Sequence, residues 1–340
     1  MAPVFRIAAP AAALLLAFHG TQGVAWADTP QPAPEPAVTA PEHATEIDEV
    51  TVTGERAGPG LWKLRRGDNT LYVLGTLSPL PRKVEWRSRE VEAVLDRAQR
   101  LIPSSTDVDA DIGPVSAVRL YMQYRKLRDN PGDSTLGAVL PPELFARFES
   151  LRQRYAPRNT DLLGRRPVIA AAELWRAALE RSGLTLRNDI GRSVTRLARA
   201  RKVEIREPQV RIEDPRGALA EVAAIPVESE VACMASSLDR LESDLATARQ
   251  RAEAWSVGDV AALRSRAASE QQEACWSALM ASPRIAEIRD RFDRAWFDLA
   301  VDSIETLPVT LAVVPIDELL GRRGILERMR ARGYVVEEPT

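Results

Sequence analysis

Two apolar runs, far apart in the chain, end in residues that can do chemistry. Leu71-Tyr72-Val73-Leu74 runs into Gly75-Thr76-Leu77-Ser78-Pro79-Leu80-Pro81. Val309 to Val314 runs into Pro315-Ile316-Asp317-Glu318-Leu319-Leu320-Gly321. A β-rich run, a glycine that lets backbones approach and then a polar loop residue is how a strand delivers side chains to the mouth of an α/β sheet. Ser78 supplies a hydroxyl there. Glu207, Asp317 and Glu318 supply carboxylates, which work as general acids and bases or hold a hard cation. Gly75 and Thr76 complete the expected cleft. Histidine is missing from both places: the only two, His19 and His43, lie in the N-terminal leader region.

A serine without imidazole needs another base. Lys63 and Lys83 are near in sequence, so a Ser–Lys pair is one reading of Ser78, set against a loop serine that caps the turn at Pro79. A carboxylate cation site from Asp107, Glu207, Asp317 and Glu318 is a second reading, set against acids that face solvent or cap helices. No zinc site is expected from protein ligands, since such a site wants four and two cysteines without histidine fall short.

The elements that position these residues follow from pattern. Leu61-Trp62-Lys63-Leu64 and Leu71 to Leu77 flank Gly67-Asp68-Asn69, which predicts a β-hairpin. A helix is expected from Ser88, with Val91, Val94, Leu95 and Ala98 on one face. Leu101-Ile102 begins a short strand that meets Pro103 and the polar run Ser104 to Asp107. Helical spacing then dominates from about 114 to 184, with Leu120, Tyr124 and Leu127 on one stripe and Leu144, Phe148 and Leu151 on another. Ile169, Leu174 and Ala178 mark a third helix, stopped at Gly183. A helix over 189–201 precedes a strand at Val203-Glu204-Ile205. The stretch from about 228 to 304 is helical again, with a break at Gly258-Asp259. A late strand (309–314), a helix from 324 to 332 and a last strand at Tyr334-Val335-Val336 close the chain. The predicted class is α/β: a central sheet formed by N- and C-terminal segments, with a large helical insertion. Trp86, Trp175, Trp255, Trp276 and Trp296 are read as core residues before sugar-binding ones.

Charge and ends narrow the function. With 46 basic against 48 acidic side chains and a net charge of -2, nothing favours nucleic acid as partner. Arg6, the apolar stretch Ile7 to Phe18 and Ala25-Trp26-Ala27 before Asp28 form a signal peptide with cleavage after Ala27. The expectation is an exported, periplasmic protein. Residues 28–58 are a Pro/Ala-rich linker, and the domain follows over 59–338. Within the linker, Glu46 to Gly54 resembles a TonB box, which adds a strand to a partner's sheet; the plain alternative is a linker end. An oxidising compartment favours a Cys233–Cys275 disulfide over two buried thiols.

The two strand-and-loop segments, with much of the chain from about Leu61 to Glu337, resemble the TraB/GumN family, which is related to Tiki-type metalloproteases. The family's G-T-x-H-x-x-P motif reads Gly75-Thr76-Leu77-Ser78-Pro79-Leu80-Pro81 here, with Ser78 in the histidine's place. Its G-x-x-H-L-x-G motif reads Pro315 to Gly321, with Glu318 for the second histidine. Ser104 stands where an acid is common, and Glu207 matches the family's L-E pair. The resemblance implies a divalent metal in active relatives, and cell-envelope or polysaccharide processes as context. Without both histidines it implies a degenerate site, no cofactor, and a ligand or envelope partner at the old cleft. Two alternatives stand beside it: a hydrolase rebuilt on Ser78 or a carboxylate-bound cation, and a periplasmic adaptor acting through residues 46–54.

Overall fold

A computed structural model describes residues 59–339, apart from 83–85, 87–88, 111, 188, 266–274, 276–278 and 322–323. The expected signal peptide, linker and TonB-box-like segment lie outside the described residues, as do Lys83, Trp276 and the expected cap Ser88.

The expected hairpin is β1 (Leu61–Arg66) and β2 (Asn69–Thr76), closed where Arg66 faces Asn69. Gly67 turns it with a φ of 58°, a region that disfavours side chains. The chain continues through β3 (Leu80–Pro81), α1 (Arg89–Leu95), β4 (Arg100–Ile102) and β5 (Asp107–Ala110). Then come α2 (Pro114–Leu127), α3 (Leu136–Val139), α4 (Pro142–Tyr155) and α5 (Pro167–Arg181). Next are β6 (Leu184–Thr185), α6 (Asp189–Ala200), β7 (Glu204–Ile205), β8 (Gln209–Ile212) and α7 (Pro215–Ala223). The chain ends with α8 (Val227–Ser256), α9 (Val260–Ser265), α10 (Pro283–Thr306), β9 (Val309–Pro315), α11 (Ile316–Leu320), α12 (Ile325–Ala331) and β10 (Val335–Glu337).

Six strands form the main sheet in the order β10-β1-β2-β9-β4-β7. β1 is antiparallel to β2 and β10, while β2, β9, β4 and β7 are mutually parallel. This is the α/β architecture expected, with the two chain ends meeting at β2 and β9. Both strands are apolar without alternation because parallel strands are buried on both faces: Leu71, Val73, Leu74, Leu311, Ala312, Val313 and Val314 are all buried. Val91, Val94 and Leu95 of α1, Ile190, Val194 and Ala198 of α6, and Phe297, Ala300 and Ile304 of α10 join them in one core.

The helical insertion has a core of its own, built around Leu136, Phe148, Leu162, Leu174 and Ala178. Helix α8 connects the two. Its first half puts Met234, Leu238 and Leu241 into the insertion's core, and its last turns put Ala252, Ala254 and Trp255 into the sheet's core. At ~1.5 Å per residue a 30-residue helix is about 45 Å long, enough to span both. The disulfide is present: Cys233, near the start of α8, is bonded to Cys275.

Two features escape the sequence pattern. The polar run before Asp107 leads into a second small sheet, in which β5 and β8 pair in parallel from Asp107–Gln209 to Ala110–Ile212. Leu80 and Pro81 also pair with Thr185 and Leu184, strapping the loop after β2 to the start of the next α/β segment. Strands of two to four residues carry too little hydrophobic periodicity to be read.

Candidate functional site

All four parallel strands end on one edge of the sheet, the place where open α/β sheets bind ligands. There Gly75 lies opposite Val314 and Thr76 opposite Pro315, so the two motif segments meet. Gly75 is closely packed: a Cβ would sit 3.1 Å from Ile316 Cγ1 and 3.2 Å from Trp62 Cζ3, so a larger residue would press on both side chains. Thr76 is buried, and its hydroxyl donates to the Val314 carbonyl at 3.1 Å. Both residues therefore tie the two strand tips together.

Ser78 is exposed in the loop that follows, and its peptide bond to Pro79 is cis. Its hydroxyl donates to the Leu186 carbonyl at 3.4 Å. Of the two lysines read as its base, Lys83 lies outside the described residues, and Lys63 sits in β1 opposite Tyr72, four residues down β2 from Thr76. At ~3.3 Å per residue that is about 13 Å from the strand tip. The pairing of Ser78 with Lys63 therefore does not form.

The carboxylates divide into three places. Asp317 and Glu318 open α11, directly after β9. Arg251, only 11% exposed and reaching down from α8, holds Asp317 at 2.7 Å. Arg289 of α10 faces Glu318 at 3.7 Å. Burial pushes the Glu318 carboxyl above the usual carboxylate range; Arg289 opposes this, and the Asp293 and Asp317 charges add to it. Because 47% of its side-chain surface is open, water screens one side of the group and limits the rise. Glu207 follows β7 and accepts from the Ser105 hydroxyl at 2.7 Å, beside the tips of β4 and β7. Asp107 belongs to β5, opposite Gln209, in the small second sheet. The four do not converge.

A divalent metal, which the motif resemblance implies for active relatives, does not fit this donor set. Ser78 is turned to a backbone carbonyl and the Asp317–Glu318 pair is met by two guanidinium groups. Among the described residues no three His, Cys, Asp or Glu side chains are grouped to hold an ion.

Arg251 and Trp255 also belong to this edge, although the sequence pattern does not single them out for the cleft. They sit one turn apart on α8, so they face the same way. Trp255 is buried and its indole N–H donates to the Gly75 carbonyl at 2.7 Å. The spacing of four on a helix is legible; that this helix ends over the strand tips is not. A shallow hollow beside α11 is lined in part by Leu319, Arg264, Arg330 and Glu338. Both arginines there already pair with Glu338, at 2.7 and 3.1 Å, so the hollow presents no convergent free polar groups.

Of the tryptophans read as core, Trp255 is fully buried, while Trp86 and Trp296 pack partly buried against the sheet's core and Trp175 against the insertion's. No helix among the described residues is long and apolar enough to cross a membrane.

No curated protein and no solved structure matches the chain significantly. The sequence profile of the TraB/PrgY/gumN family does match, over residues 60–338, which takes in the whole sheet, the helical insertion and both motif segments. The chain belongs to the TraB/PrgY/gumN family.

Proposed function

We propose that this chain is an exported, catalytically degenerate member of its family that binds a ligand or partner at the strand-tip edge in the cell envelope. One observation carries the reading. The residues that stand for the two motif histidines are Ser78 and Glu318, and the acids beside the second are already balanced by Arg251 and Arg289. An edge whose negative charge is met by the protein's own cations has little left with which to grip a metal ion, but it keeps hydroxyl, carboxylate and guanidinium groups for a polar ligand. The N-terminal Arg6 to Ala27 pattern supports export, and a periplasmic chain should begin at Asp28 when its N-terminus is sequenced.

The test uses the untagged mature chain. After soaking in Zn, Mn, Mg and Ca salts and desalting, metal content is measured for wild type and Glu318→Ala. Peptide and ester hydrolysis are measured for wild type, Ser78→Ala and Glu318→Ala. The expected result is no stoichiometric metal and equal background rates in all three proteins. One equivalent of metal lost in Glu318→Ala, or turnover lost with Ser78, would replace this reading with a rebuilt hydrolase.

A further inference from the structure

Helix α2 presents its apolar residues on the wrong side. Leu120 is buried, and the helix rests on α7, where Arg216 donates to Ser116 Oγ at 2.9 Å. On the opposite face Val115, Val118 and Met122 are 73, 64 and 50% exposed, with Tyr121 at 50% beside them. Their spacing of three and four makes a single ridge along the helix. Of the large exposed hydrophobic residues in the described structure, these four of seven sit on one helix, whereas Val227, Val257 and Val335 are scattered.

The charges on this helix decide what covers the ridge. From Pro114 to Leu127 there is no acidic residue, and the cations are Arg119, Arg125 and Lys126, all exposed. At ~100° per residue, Arg119 and Lys126 flank the Val115–Met122 line on one side and Arg125 flanks it on the other. No hydrogen bond or ion pair engages the three side chains among the described residues. An apolar ridge edged by unpaired cations, with an aromatic hydroxyl at its border, is complementary to a bilayer surface bearing anionic headgroups. It is a poor match for a second copy of itself, since a twofold pairing would bring like charges together.

We propose that the outer face of α2 docks the protein on an anionic phospholipid surface, with Val115, Val118 and Met122 entering the acyl boundary and Arg119, Arg125 and Lys126 taking the phosphates. This surface is independent of the strand-tip edge. The experiment is co-sedimentation of the mature chain, from Asp28, with phosphatidylcholine–phosphatidylglycerol vesicles and with phosphatidylcholine vesicles alone. Binding is expected only to the anionic vesicles and should weaken as salt is raised. The triple variant R119A/R125A/K126A should bind about 100-fold more weakly, roughly five-fold per cation. The variant V118E/M122E should lose binding with its thermal midpoint unchanged; if it does not fold, the charge variant decides. Wild type left in the supernatant, or variants that bind like wild type, would overturn the proposal. So would a wild-type dimer that V118E/M122E dissociates without any vesicle binding, or capture of an acidic helical peptide by the same face with vesicles ignored.

Discussion

Trp255 donates its indole N–H to the carbonyl of Gly75 at 2.7 Å across 180 residues of sequence. The bond joins the last turn of the insertion's long helix to the tip of the central strand, one residue beyond the end of the β1–β2 pairing at Leu61 and Leu74. It closes the strand-tip edge from one side and gives the insertion a fixed place over it.

Trp255→Phe keeps most of the ring's volume but leaves the Gly75 carbonyl buried without this donor. The expected loss is ~1–3 kcal/mol of unfolding free energy. Trp255→Ala adds a cavity and should cost ~3–5 kcal/mol. Urea unfolding followed by circular dichroism measures both, and a loss in Trp255→Phe no greater than that of a surface substitution would show that water replaces the indole.

Gly75→Ala places a methyl against Ile316 Cγ1 and Trp62 Cζ3 at 3.1 and 3.2 Å. Both neighbours belong to a packed core, so the overpacking should cost ~1–3 kcal/mol. The prediction is read from the same denaturation curves, and a neutral outcome would mean that Ile316 moves freely at the start of α11.

The Cys233–Cys275 bond spans 42 residues. Restricting the unfolded chain by a loop of that length is worth about 4 kcal/mol. Alkylation of the native protein should find no free thiol by mass. Reduction, or Cys233→Ser with Cys275→Ser, should lower the thermal midpoint, and two thiols labelled without reductant would remove the bond from the account.

Glu318 makes a pH prediction of definite sign. Its carboxyl is raised by burial, against Arg289 and with Asp293 and Asp317. The folded state therefore holds this proton to higher pH than the unfolded chain does, and the group's contribution to stability declines as pH rises through that window. Glu318→Gln should match or exceed wild type in thermal midpoint at pH 7, with the difference vanishing below about pH 4, where the free acid is protonated in both states. Calorimetry at the two pH values checks this. Glu338 runs the other way: Arg264 and then Arg330 hold its carboxyl below the usual range, so its share of stability is present at neutral pH and fades on acidification.

Local elements and the class of fold are legible in the order of residues alone. The Gly67-Asp68 turn between two β-rich runs specifies the hairpin, and the uninterrupted apolar runs at 71–74 and 309–314 announce strands buried on both faces. The helical stripes at Leu120 and Phe148 lie where helices form. These signals are local, carried by dihedral preference and by the period of apolar residues. The residue types at Ser78 and Glu318, where the family resemblance expects histidine, are equally plain.

What those residues meet is a matter of packing. That Arg251 holds Asp317, that Arg289 faces Glu318, and that Lys63 lies well down the strand from Ser78 all depend on where α8, α10 and β1 sit against the sheet. The same holds for β5 and β8, whose Asp-Val-Asp-Ala and Gln-Val-Arg-Ile segments are too short to show their pairing before they find each other. Contacts between distant segments are set by packing and loop closure over the whole chain, and no local pattern records them.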